Sequence, residues 1–164
     1  MSAPIDASPS AAWFVDWIWS LPLIVVTVVI HVVGLGLINE KIVQPLSGMV
    51  QRLRFIVGYI VIMAVVAWLV TILHAVEGFA WAVAYQALGA VPDMNAAVLY
   101  SFSAMTAYGH ASVLLEPHWQ LMGALEALNG LMLFGLTTAF MFAVIGRVTR
   151  LGRRGRNWRR ERRR

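Results

Sequence analysis

Apolar residues gather into three long runs. The first, Leu21 to Ile38, is broken only by Thr27 and His31. The second, Phe55 to Val76, has Thr71 and His74 as its only markedly polar side chains, and the third, Leu121 to Ile145, carries Glu126, Asn129, Thr137 and Thr138. A bilayer core takes about 20 residues of helix to cross, so each run predicts a transmembrane helix. A fourth run, Ala96 to Ala107, reaches only about two-thirds of that length, and runs so short read as buried or re-entrant segments. Its continuation, Tyr108 to Pro117, is turn-like. Ahead of the first run, Trp13, Phe14, Trp17, Ile18 and Trp19 predict an interfacial aromatic belt. The N-terminus opens with acidic, Pro and Ser residues and lacks the basic region of a secretory signal.

Composition agrees with that pattern. Of 164 residues, 60% are hydrophobic and 13% charged, where soluble domains carry about a quarter charged residues. Mean hydropathy is +0.72. There are no cysteines, which excludes disulfide frameworks, Cys-ligated zinc and thiol catalysis.

Charge gives the expected topology. Of 13 Lys and Arg, ten lie between Arg147 and Arg164, and the others are Lys41, Arg52 and Arg54. The positive-inside rule therefore places the first loop and the C-terminus in the cytoplasm. The N-terminus, with Asp6 and Asp16, falls outside, together with the segment from Glu77 to Gln120. This requires the 96–107 run to enter and leave on one side, since a full crossing would put the arginine clusters on opposite faces. The expected fold class is an all-α integral membrane protein with three transmembrane helices plus a re-entrant helix and loop. Its expected regions are 1–54 (interfacial segment, first span and cytoplasmic loop), 55–146 (second span, loop and third span) and 147–164, an Arg-rich tail. That tail suits anionic lipid headgroups, at about 1 kcal/mol per basic residue, rather than nucleic acid. Beyond about Gly155 it is expected to be disordered.

Polar residues inside apolar runs are functional candidates because they are expensive there. His74 and Glu77, at i and i+3, share a helix face. They read as half of a metal site, as a proton-sensitive pair, or as a hydrogen-bonded tie to the neighbouring short helix. The tie is favoured, since a metal wants three or four ligands. Glu126 and Asn129 repeat the spacing and read as a cation site. Gly130 and Gly135 read as close-packing points or as a hinge. Thr137 and Thr138 either line a cavity or bond back to the preceding turn. His31 reads as a packing histidine. The Gly34-x-Gly36 beside it is not a dinucleotide fingerprint, because no strand precedes it.

The end of the second span, HAVEGFAWAVAYQALGAVPD, the short helix, AAVLYSFSAMT, and the third span, WQLMGALEALNGLMLFGLTTAFMFAVI, resemble the small bacterial two-span-type potassium channels (the ion channel pore domain). The resemblance covers His74 to Ile145. It implies a homotetramer whose re-entrant loops, here Thr106, Ala107, Tyr108, Gly109, His110, Ala111 and Ser112, form a filter for monovalent cations. It also implies that Glu126 and Asn129 brace the short helix, which is the favoured role for that pair. Family filters read Thr-Val-Gly-Tyr-Gly-Asp. Aligned without gaps from Ser101-Phe102 through Pro117 and Trp119, those positions fall on Ala107 to Ser112, and only Gly109 keeps its glycine. A second offset, pairing Tyr-Gly with Tyr108-Gly109, requires two extra residues before Trp119. Ala111 in a glycine position would resist left-handed backbone by about 1–2 kcal/mol. Ala107 lacks the family's threonine hydroxyl, and His110 stands where the family has a tyrosine packed behind the filter, so its ring is expected either to be buried or to act as a group sensitive to near-neutral pH.

The expectation is thus a pore-loop cation channel, weakly or not potassium-selective, in the bacterial plasma membrane. The alternative is a non-conducting accessory protein that keeps the channel fold and binds another membrane partner. No nucleophile or complete metal set accompanies His74 and Glu77, so neither an enzyme nor a cofactor is expected.

Overall fold

The computed structural model describes residues 9–50, 55–106, 108 and 113–161. Among them there is no strand. Helix α1 runs Pro9–Ile38 and passes through a π-helical turn, Asn39–Val43, into α2, Gln44–Val50. Helix α3 is Phe55–Ala87, α4 is Met94–Met105, and a 3-10 turn, Pro117–Trp119, leads into α5, Gln120–Glu161. Three helical stretches, Trp13–Ser47, Ile56–Ala87 and Pro117–Arg150, are long and apolar enough to cross a membrane. Their outward side chains suit hydrocarbon and not water: Phe142 is 78% exposed, Ile56 69% and Trp68 65%.

The helices outrun the apolar runs at both ends. Helix α1 begins with Pro9, whose fixed φ and missing N–H suit a first helical turn, so the aromatic belt is helical. Pro22 lies inside α1, a position that spanning helices tolerate when neighbours satisfy the freed carbonyl. Helix α3 continues past Val76 because Glu77, which ends the apolar run, is fully buried within the protein. Two further segments are helical, and for the tail this corrects the expectation. The first loop is helical as far as Val50, with Ser47 Oγ donating back to the Val43 carbonyl at 2.5 Å, since Gln44-Pro45-Leu46 places proline in a first turn. The tail is helical to Glu161 rather than disordered beyond Gly155, because no proline interrupts it and arginine is a good helix former.

The chain divides into two compact units, Met1–Ile30 with Ala75–Leu133, and His31–His74 with Phe134–Arg164. The first is centred on Trp81, Ala82, Tyr85, Ala97, Trp119 and Met122. The second packs Leu35, Ile38, Val43, Ile62, Val66, Val70, Val144 and Val148.

Candidate functional site

In the first unit, the segment between α3 and α5 makes a closed excursion. Helix α3 ends on Gly89, whose φ of +66° only glycine adopts freely. The Gly89 N–H donates to the Gln86 carbonyl at 3.2 Å and the Ala90 N–H to the Tyr85 carbonyl at 2.9 Å. This pair of hydrogen bonds is the αL stop that satisfies terminal carbonyls. Asp93 then caps α4, accepting from the Ala96 N–H at 2.8 Å. Helix α4 has 12 residues, about 18 Å of rise. At its far end Thr106 Oγ1 donates to the Phe102 carbonyl at 2.7 Å, and the N–H of exposed Tyr108 donates to the Ser103 carbonyl at 3.0 Å. The remaining candidate filter residues, Ala107, Gly109, His110, Ala111 and Ser112, lie outside the described residues. The chain returns through Val113 to Glu116, where the Glu116 N–H donates to the Ala90 carbonyl at 3.1 Å. Departure and return are therefore tied by one hydrogen bond.

Glu126 holds α4 in this excursion. Its carboxylate is fully buried on α5. Tyr85 of α3 donates its hydroxyl to Oε2 at 2.6 Å, and Ser101 of α4 lies with Oγ 2.5 Å from Oε1. Ser101 Oγ also lies 2.7 Å from the Gly78 carbonyl. One acidic side chain thus joins three helices, and Tyr100 stacks edge-on against Tyr85 with ring centroids 5.4 Å apart.

Three glycines admit α4 to that position. A Cβ on Gly78 would lie 3.2 Å from Met105 Sδ, one on Gly123 would overlap the Tyr100 hydroxyl, and one on Gly130 would overlap the Met105 backbone. Gly130 is therefore a point of backbone-to-backbone approach. Gly135 belongs to the second unit, where an added Cβ would meet nothing within 4 Å.

Asn129, one turn beyond Glu126, does not reach α4. Its Nδ2 donates to Thr27 Oγ1 of α1 at 2.8 Å. Asp16 of α1 is buried, 2% exposed, and its carboxylate faces the Leu121 and Met122 N–H groups and His118. Sequence pattern alone sets Asp16 among the outer charges. The signal it offers is an acid inside a run of Trp and Phe.

The second unit contains a polar cluster of its own. Thr137 Oγ1 lies 3.0 Å from His74 Nε2 and 3.1 Å from His31 Nε2. The two imidazoles stand 5.0 Å apart, and His74 stacks on Phe134 at 4.6 Å. A threonine hydroxyl has one hydrogen, so it donates to one ring and accepts from the other. His31, read from sequence as a packing residue, joins this cluster from 106 positions away. Thr138 Oγ1 donates back to the Phe134 carbonyl at 2.8 Å, within its own helix. Glu77 is buried in the first unit.

Replacing Thr137 with valine keeps the shape and removes the bridge from both rings. The variant should lose about 1–3 kcal/mol of stability, read as a lower thermal midpoint in detergent. Thr137→Ser, which keeps the hydroxyl, should stay close to the parent. Equal midpoints for the valine variant and the parent would show that the bridge contributes nothing.

Comparison of the chain with protein-family models, curated proteins and solved structures gave no match.

Proposed function

We propose that this chain is one subunit of a homotetrameric pore-loop cation channel with an atypical filter, lying in a bacterial plasma membrane with its arginine-rich end in the cytoplasm. The observation that carries the reading is the closed excursion from Ala90 to Glu116. Helix α4 is too short for a core of about 30 Å, and the chain comes back to the point it left. Irregular backbone at membrane depth is tolerated only inside protein or beside a watery cavity. A loop held this way is suited to line a pore. One loop cannot encircle an ion, so the reading requires several copies around an axis. Buried Glu126, fastening α4 through Ser101, supplies the rigid backing that a filter needs.

Selectivity follows from the filter residues. Potassium filters aim rings of backbone carbonyls at dehydrated ions. With Ala107 in place of the threonine and Ala111 in place of the second glycine, the ring loses a hydroxyl and a flexible position. Conduction of monovalent cations with weak discrimination is the expected activity.

The purified protein in proteoliposomes should pass potassium, sodium and caesium at comparable rates. The double variant His110→Tyr with Ala111→Gly should raise the potassium-to-sodium flux ratio, if the ungapped alignment is correct. Absence of flux at every pH and voltage tried would favour a second reading, a non-conducting accessory protein that retains the channel architecture. The two alanines are the observation behind that alternative.

A further inference from the structure

We propose that a cleft in the second unit binds one anionic phospholipid, with the phosphate on Arg147 and Arg150 and the upper acyl chain against α1 and α5. The cleft has a volume of about 340 Å³. Its wall is apolar, formed by Leu35 of α1 with Phe140 and Val144 of α5. Its other end is polar, formed by Asn39, Arg147 and Arg150. A glycerophosphate and the top of one chain match that division, with charge at one end and hydrocarbon at the other.

The two arginines stand three residues apart and therefore share one face of α5. Among the described residues neither forms an ion pair. The ion pair between Lys41 and Glu40, at 2.8 Å, lies on the exposed surface. Guanidinium groups recognise phosphate oxygens with two parallel hydrogen bonds, and the change from apolar to basic side chains along α5 falls where a lipid phosphate sits. Bare Gly146 leaves room for this: the place its Cβ would take is 3.6 Å from the Arg150 guanidinium, which folds over the helix there.

Gly36 completes the cleft. It lines the space, and a Cβ added there would meet no atom within 4 Å. A methyl group there would displace no protein, so close helix packing does not require this glycine. A larger side chain would project into the volume assigned to the acyl chain. It would also remove the helix penalty of glycine, about 1 kcal/mol, so the substituted protein should fold.

The proposal is independent of ion conduction and is tested without it. The full-length protein is purified in a neutral detergent and titrated with phosphatidylglycerol, phosphatidylcholine or inorganic phosphate, and bound lipid is counted by native mass spectrometry. One phosphatidylglycerol per chain should bind, with phosphatidylcholine and inorganic phosphate much weaker. Arg147→Gln with Arg150→Gln, and separately Gly36→Phe, should each weaken binding by about tenfold or more. Arg159→Gln with Arg160→Gln, nine and ten residues beyond Arg150 in sequence, should leave it nearly unchanged.

Several outcomes would overturn the assignment. If the tail variant loses as much binding as the cleft variant, attraction is diffuse and not located in the cleft. If Gly36→Phe binds normally, no acyl chain enters. If inorganic phosphate competes as well as the lipid, the site takes a free anion. If the native oligomer binds no lipid, the cleft is filled by a neighbouring copy.

Discussion

Glu126→Ala should destabilise the protein by about 2–5 kcal/mol, the combined effect of orphaning buried hydroxyls and opening a cavity. The Tyr85 hydroxyl would lose its acceptor and Ser101 would lose the contact that ties α4 to α5. Glu126→Gln should instead remain within about 1 kcal/mol of the parent. Its amide oxygen still accepts from Tyr85, and its amide nitrogen donates to Ser101 Oγ. The single Ser101 hydrogen is then directed at the Gly78 carbonyl. Thermal unfolding in detergent separates the two variants. Limited proteolysis provides a local readout, because α4 and its return should be cut faster in Glu126→Ala and not in Glu126→Gln. Parent-like behaviour of both would mean that α4 is held by apolar packing alone.

The second large effect is expected at Gly130. Alanine there would overlap the Met105 backbone, and a backbone carbonyl cannot rotate aside as a side chain can. Overpacking of this kind costs about 1–3 kcal/mol, and more where nothing can move. Gly135→Ala provides the matched control five residues along the same helix. An added methyl there meets nothing, and replacing helical glycine with alanine should be neutral or stabilising by up to about 1 kcal/mol. Thermal midpoints that fall for Gly130→Ala and hold or rise for Gly135→Ala would establish Gly130 as a packing point. The reverse order would make Gly135 the constrained position.

The three spans were legible because hydrocarbon imposes a length and a composition that no other environment requires of a chain this short. Their ends were not legible. An apolar run stops at Glu77, yet the helix continues, because a carboxylate inside protein does not need water in the way a lipid-facing one does. The short run read from sequence, Ala96 to Ala107, lies two residues late at each end of α4, Met94–Met105, because the Asp93 cap starts the helix ahead of the apolar residues. Glu126 could be singled out by its cost in an apolar setting, but its partners could not. Tyr85 lies 41 positions away and Ser101 25, and no local spacing connects them. His31 reads correctly as a satisfied packing histidine, but its partner Thr137 and the burial of Asp16 were not legible for the same reason, since each depends on a neighbour from another helix. Of the segment after α4, Ala107 and Gly109 to Ser112 lie outside the described residues.

The hydrogen bond from Glu116 to Ala90 also bears on how such a protein can change over time. It lets the tip of the excursion vary in length and composition while the helices on either side keep their anchors. Insertions or deletions between Thr106 and Val113 would be absorbed locally, without shifting Trp119 or the register of α5. Substitutions at the tip can then accumulate without destabilising the scaffold. A chain whose helical anchors are fixed and whose connecting tip is free to drift is the expected product of that separation.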